Sequence, residues 1–391
     1  MAAVPRANVR KEPPMRRTSI CRVTWSPDAS AGSKSQAGSG RPRSLVVGVV
    51  LVTGAAVSGC GTGAGTADLP TTMPALVRQA EREGEVNWAS WNPEAQMQPA
   101  IDLFEKKYPG IRVKYTNIKA PDQVSRLKLE QAARKVSIDV ANAGGLTMTP
   151  AVKLAADVDW SKYGVGEKDI FAKNFVYVWA TPKVWAYNTD KVKPADVPRS
   201  WDGLLSSKWA GGKISAESRA SFMTVWDLDG SLGEDKALAW AKEFAPLRPH
   251  YSPNLTQAEA PIESGQVSIG TSLISLVLAA KAKGAPVEVA PVSPTSASES
   301  YLYVPEGAAH PAAAALLTSF LSSDEAQKLL AKTYNSRIPV DTDCSDPSRN
   351  AVLQALCEAH LKWYGAKSLK DYDRMTDFFP KVEKTLGTDV G

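Results

Sequence analysis

The chain has 391 residues, with 46 Lys and Arg against 41 Asp and Glu, a formal charge of +5. Nine of those cations but only two of the acids fall in residues 1–59, a local excess of +7, so the remainder carries −2. That balance gives no argument for a nucleic-acid surface on the body of the protein. The three histidines, His250, His310 and His360, form no Cys/His cluster of metal-ligand spacing.

Residues 1–44 are basic and rich in Ser, Pro, Gly and Arg, with no periodic apolar pattern, and such a segment cannot bury a core. From Leu45 to Val57 there are thirteen uncharged residues, preceded by Arg41 and Arg43. Thirteen is too few for a membrane-spanning helix, which takes about 20, but suits the apolar core of a secretory signal. The following Ser58-Gly59-Cys60 completes a stretch that resembles a bacterial lipobox. The resemblance implies cleavage before Cys60 and acylation of its thiol, palmitate included. Residues 1–59 are then a removed leader and signal peptide, and the mature protein is lipid-anchored to the outer face of the cell membrane.

Residues 60–73 read as the lipidated cysteine and a flexible Gly-rich tether. Beyond it, 73–84 predicts a helix stopped at Gly84, 85–91 a strand, and 97–108 a helix with Met97, Ala100, Ile101, Phe104 and Tyr108 at helical spacing. A strand over 111–118, an amphipathic helix over 122–135 and a strand over 137–145 complete a β-α-β-α-β order, which implies a parallel sheet covered by helices. Further on, 182–192 reads as a strand and 199–218 as a short helix, turn and strand. Residues 220–229 and 234–245 read as helices, 265–284 as a strand passing into a helix, and 286–292 and 300–307 as strands. His310-Pro311 opens a helix, Ser322 with Glu325 forms a capping box for the next, and the chain from 347 on is mainly helical. Cys344 and Cys357, on the oxidising side of a membrane, predict a disulfide, with two buried thiols as the alternative. About 330 mature residues suit two lobes better than one core.

The segments "EGEVNWASWNPE", "FEKKYPGIRVKY", "VWAYNTDKVKPADVPRSWDGLLSSKWAGGKI", "AKAKGAPVEV" and "EGAAHPAAAALLTSFLSSDEAQKLLA" resemble the extracellular solute-binding proteins of bacterial ABC importers. The nearest subgroup holds ferric-iron, polyamine, thiamine and phosphonate binders. The resemblance implies an α/β fold of the type II periplasmic-binding-protein class, with a ligand cleft between two lobes. Lobe 1 is expected at 80–185 plus 300–391 and lobe 2 at 190–295. It further implies a monomer that captures a small solute and hands it to an ABC permease driven by a cytoplasmic ATPase. Neither catalytic residues nor a cofactor are expected, and the chain has no Gly-x-Ser-x-Gly, HExxH or P-loop motif.

Four cleft loops follow from the resemblance and from the rule that ligands sit at the carboxyl ends of strands. The first is Ser90, Trp91 and Asn92, with Trp91 either stacking on ligand or packing in the core. The second is Asn142, Gly144 and Gly145, either a close backbone approach or an ordinary turn. The third carries Arg219 and Ser221 ahead of a helix start. There Arg219 offers a planar fork for a carboxylate or phosphate, or simply pairs with Glu217. The fourth is Thr271 and Ser272, where ferric-iron binders of the family carry tyrosines; hydroxyls are poor ligands for a trivalent cation. Tyr187 and Asn188, at the first crossing between lobes, either reach the ligand or fix the hinge. The expected solute is an organic anion. A polyamine, using Trp91, Trp226, Asp227 and Asp229, ferric iron, or a non-transport sensory role are the alternatives.

Overall fold

The computed structural model describes residues 69–228, 232–333, 335, 337–338, 344–346 and 349–388. The leader, Cys60, residues 61–68 of the tether and Asp229 lie outside the described residues. Among the described residues no helix is long and apolar enough to cross a membrane.

The chain opens with α1 (Met73–Glu83), which buries Leu76 and Ala80 one turn apart and ends on Gly84 in the left-handed conformation. β1 (Glu85–Ser90) leads to α2 (Glu94–Lys107), whose buried Met97, Ala100, Ile101 and Phe104 are four of the five read from spacing; the fifth, Tyr108, is half-buried just past the helix end. β2 (Arg112–Asn117) lies parallel to β1. After α3 (Ala120–Ala132), Val140 bridges Trp88 in parallel, and β3 (Ala141–Ala143) leaves that pair to join another sheet. The predicted β-α-β-α-β order is therefore present, but its third strand is split between two sheets. α4 (Met148–Val152) and β4 (Ile170–Phe171) follow.

β5 (Phe175–Asn188) is the longest strand described, fourteen residues, and all but one of them are buried. Its first half, through Pro182, pairs antiparallel with β10 (Thr295–Tyr303). Its second half, from Lys183, pairs antiparallel with β8 (Ile269–Leu273) and β9 (Val287–Ala290). The change of partner falls between Pro182 and Lys183, ahead of the boundary expected at 185. Proline has no N–H to give a ladder, so a strand can leave one partner there without orphaning a donor.

β6 (Ile214–Glu217) lies parallel to β8 and to β7 (His250–Ser252). Around these strands pack α5 (Thr224–Asp227), α6 (Glu234–Phe244), α7 (Leu255–Glu263) and α8 (Ile274–Ala282). The 220–229 helix is shorter than predicted: a single 3-10 turn, Ser221–Met223, then the four residues of α5. β10 brings the chain back, and α9 (Pro311–Ser322) packs on α1 and β5 with its residues Ala312 to Ser322 all buried. Glu83 caps α9 from α1, its carboxylate accepting from the backbone N–H of Ala312 (3.1 Å) and Ala313 (2.7 Å). α10 (Asp324–Leu330) is capped by Ser323, one residue later than read, because Ser322 still belongs to α9.

α11 (Ala351–Glu358) carries Cys357, which is disulfide-bonded to Cys344, Cα atoms 5.6 Å apart. β11 (Trp363–Tyr364) adds to β10, and α12 (Leu369–Leu386) closes the described chain. Expected wholly in lobe 1, α12 instead straddles the molecule. Asp373 accepts from Thr149 on α4, while Lys381 meets Glu234 of α6 (2.6 Å), Arg374 donates to the Asp227 carbonyl, and the Ser218 carbonyl accepts from Thr388 beyond its end.

Candidate functional site

Charged side chains are rarely buried without a partner or a task. Lys183 is such a residue. It sits on β5 at the change of partner and is 7% exposed. Its backbone carbonyl accepts from the Thr295 hydroxyl, and its Nζ donates to Thr224 Oγ1 at 2.9 Å, its single hydrogen bond among the described residues. Thr224 Oγ1 in turn donates to the Ser221 carbonyl (2.6 Å). An ammonium has three donors, so two are without a partner among the described residues. Burial pushes the Lys183 pKa down to about 8, opposed by the charges of Glu217 and Glu299.

Those two acids flank it. Glu217 ends β6 and is buried. Its carboxylate accepts from the Ser221 N–H (3.1 Å) and the Ser221 hydroxyl, and its own N–H donates to Thr271 Oγ1 at 3.1 Å. The hairpin that lets Ser221 fold back passes through Ala220 at φ +53°, a left-handed conformation that costs a non-glycine residue on the order of 1 kcal/mol. Burial raises the Glu217 pKa, against the pull of Ser221, Lys183 and Arg219. Glu299, on β10, accepts from the Tyr372 hydroxyl (2.7 Å) and the Ala366 N–H (3.3 Å), and burial pushes its pKa up to about 7. Its side chain keeps some solvent contact although protein atoms crowd it, as on the floor of a cleft. Tyr301 and Tyr372, rings 6.4 Å apart and perpendicular, stand beside it with Phe171 between.

The opposite wall is the loop after β3. Gly144 passes so close to the Glu299 carbonyl that a Cβ there would overlap it, and the same Cβ would stand 3.6 Å from the Trp91 ring. Only glycine allows this approach. Asn142 donates to Ser300 Oγ at 2.7 Å and leaves its buried Oδ1 without a partner among the described residues.

The twelve residues read from the sequence therefore divide. Trp91, Asn142, Gly144, Ser221 and Thr271 converge on the Lys183–Glu217–Glu299 cluster. Arg219 stands exposed at the rim, with no hydrogen bond or ion pair among the described residues, close enough to act on Glu217 by charge alone. The helix start expected to assist it is too short to carry a useful dipole. Thr271 and Ser272 lie within β8 and not at a helix start, so they alternate: Thr271 faces Glu217, and Ser272 lies on the side of the buried Glu259. Ser90 and Asn92 tie the β1–α2 turn to Asn117, Tyr115 and Asn335. Gly145 only opens the next turn. Tyr187 and Asn188 lie at the far end of β5, Tyr187 beside Glu288 and Asn188 bonded to the Ile262 carbonyl (2.9 Å), past the crossing they were placed at. Of the polyamine candidates, Trp226 packs among Trp201 and Trp240, and Asp227 sits against Arg374.

Lys183, Glu299, Thr224 and Tyr372 were missed. Lys183 had a readable signal: it is the one charge inside "FVYVWATPKVWAYN". Glu299 had a weaker one, as the one charge in "TSASESYLY".

Two cavities lie elsewhere. One of about 520 Å³ is lined by Leu69, Trp160, Tyr163 and charges already paired, Lys162 with Asp159 and Lys173 with Asp157. The other, about 820 Å³, is lined by Trp201, Trp240 and Pro294, and the indole donors of the two tryptophans are met by backbone carbonyls. Neither is lined by a buried charge short of partners among the described residues. Among the described residues no group of three His, Cys, Asp or Glu is placed to hold a metal ion.

Residues 100–358 match the family model described as bacterial extracellular solute-binding protein. No curated protein sequence matches the chain. Among solved structures, iron-bound HitA from Pseudomonas aeruginosa is similar at 18% identity and a TM-score of 0.61, covering 78% of this chain and 99% of that one. The substrate-binding protein of an ABC transporter from Agrobacterium tumefaciens is similar at 16% and 0.63, covering 77% and 94%. A GABA receptor is similar at 17% and 0.63, covering 78% and 99%. At these identities the likeness is one of fold: two α/β lobes with a cleft between them.

Proposed function

Because this chain belongs to the bacterial extracellular solute-binding protein family, we propose that it is the lipid-anchored receptor of an ABC importer for a small organic anion. Cys60 carries the anchor, residues 60–73 act as the tether, and the folded body works as a monomer that delivers its cargo to a membrane permease powered by a cytoplasmic ATPase. Lobe 1 comprises 80–182 and the returning chain from β10, lobe 2 the strands and helices from Lys183 to about 295, with α12 bridging both. Ligand favours the closed state by the contacts it makes to both lobes at once. No reaction on the solute is required.

One observation supports the anionic class above the others. The Lys183 ammonium is buried at the crossing, holds one hydrogen bond, and has two donors to offer. A charge-assisted pair there is worth far more than one at the exposed Arg219. Arg219 contributes attraction at the rim and not the primary contact. The HitA relative holds iron; where ferric-iron binders of the family carry tyrosines, this chain has Thr271 and Ser272, poor ligands for a trivalent cation.

A thermal-shift panel on the full chain across organic anions, phosphate esters, polyamines, sugars and ferric citrate tests the class. Ligand at about 100 times its dissociation constant adds roughly 2.7 kcal/mol. Stabilisation by anions, lost in Lys183→Met, is the expected result; stabilisation by ferric citrate or polyamines alone contradicts it. For the anchor, Cys60→Ser is expected to move the protein from the membrane fraction to the medium.

A further inference from the structure

The cleft contains more than a cation. A simple anion entering beside Lys183 also enters beside Glu217 and Glu299, and like charges at close range in a poorly hydrated site repel strongly. The two acids differ in access and not in how they are held. Each is held on one oxygen, Glu217 by the Ser221 N–H and hydroxyl and Glu299 by Tyr372 and Ala366. Glu217 is buried, whereas Glu299 is half-buried, with its other oxygen close to Gly365. Around it are the rings of Tyr301, Tyr372 and Phe171. A half-buried carboxylate beside aromatic rings suits an ammonium. Lys183, with two donors unmet among the described residues, suits a carboxylate. The two lie within reach of each other's charge, and Gly144 stands against the Glu299 carbonyl.

We infer that the solute is a zwitterion, an amino-group-bearing carboxylic acid, with its carboxylate on Lys183 Nζ and its ammonium on Glu299 beside Tyr301 and Tyr372. This rests on the reading above that Lys183 receives the acid group of the solute, and replaces a net anion by a molecule whose acid group is balanced by an amine. Opposite ends of one molecule satisfy both groups, and the ligand brings no net charge into a site that is itself net acidic. Glu299 is then the residue that separates amino acids from plain acids, because a buried carboxylate left unpaired opposes the analogue that lacks the ammonium.

The test is calorimetric titration of the full chain with straight-chain amino acids of two to six carbons, α- and ω-, beside the carboxylic acids, dicarboxylic acids and diamines of the same lengths. An amino acid binding at least about 100-fold tighter than its length-matched carboxylic acid is the expected result. Glu299→Gln is expected to erase most of that preference by weakening the amino acid alone, whereas Lys183→Met weakens both. Equal binding of plain acids and amino acids overturns the zwitterion and leaves the anionic reading standing. Binding of diamines alone overturns both. Failure of every amino acid in the panel to bind overturns the zwitterion, whatever the plain acids do. The comparison within the wild-type chain holds even if a variant fails to fold.

Discussion

The two halves of β5 are equally buried and chemically opposite. Val176, Val178 and Trp179 of the first half lie under α9 and meet Trp88, Leu302 and Leu317 in an apolar cluster. From Lys183 on it passes between β8 and β9 and brings an ammonium inside, with Glu217 and Glu299 beside it. Burial alone therefore does not distinguish scaffold from site. What distinguishes them is charge. Under α9 the clustered side chains are uncharged; at the crossing an ammonium and two carboxylates have pKa values moved by burial. Such a cluster stabilises the fold less than hydrocarbon of the same volume would, a cost for which the proposed binding role accounts.

The sharpest contrast is between one residue from each half. Leu317→Ala, in the fully buried face of α9, is expected to lower unfolding free energy by about 2–5 kcal/mol, measured by denaturant titration, with the affinity of the folded protein unchanged. Lys183→Met is expected to do the reverse: at least about a 100-fold loss of anion affinity with a melting point no lower than that of the parent. A destabilised, binding-competent Lys183→Met protein would erase the distinction between the halves.

A second buried charge off the cleft sharpens the comparison. Glu259 on α7 is buried, neither carboxylate oxygen has a hydrogen-bond partner among the described residues, and burial raises its pKa to about 7, with Ser272 opposing. Its folded-state pKa exceeds the unfolded value of 4.5, so its favourable contribution is full below pH 4.5 and is lost as pH rises towards 7. Glu259→Gln is therefore expected to raise stability by about 2 kcal/mol at pH 8 and by nothing at pH 4, with affinity unaffected. Gly144→Ala pushes a methyl at the Glu299 carbonyl; roughly a tenfold affinity loss at pH 7 is expected. Smallest is Arg219→Ala, which at an exposed rim is expected to cost only about threefold, most of it in association rate and removed by salt.

Much of the scaffold was legible because its signals are local. The spacing of Met97, Ala100, Ile101 and Phe104 reports one helix face, and Gly84 reports a stop. The glycine of the second cleft loop was readable too, although only the structure shows that Glu299 is what Gly144 must approach. The site was legible in part because its members come from β3, β5, β6, β8 and β10, and no spacing connects them. The hydroxyls Thr271 and Ser272 were treated as a pair, yet strand alternation sends them to opposite faces. Arg219 drew attention by residue type, although exposure makes it weak, while Lys183 lay unremarked inside an apolar strand. A lone charge in a run otherwise fit for burial is the stronger signal, since the chain must tolerate the cost of desolvating it.

The most direct measurement is a structure of the protein crystallised with the best-binding solute from the titration panel. The account predicts an acceptor oxygen of that solute within hydrogen-bond distance of Lys183 Nζ, with Gly144 and Trp91 on one side and Thr224 on the other. Solute density in the groove of Trp201 and Trp240, with Lys183 untouched, would contradict it.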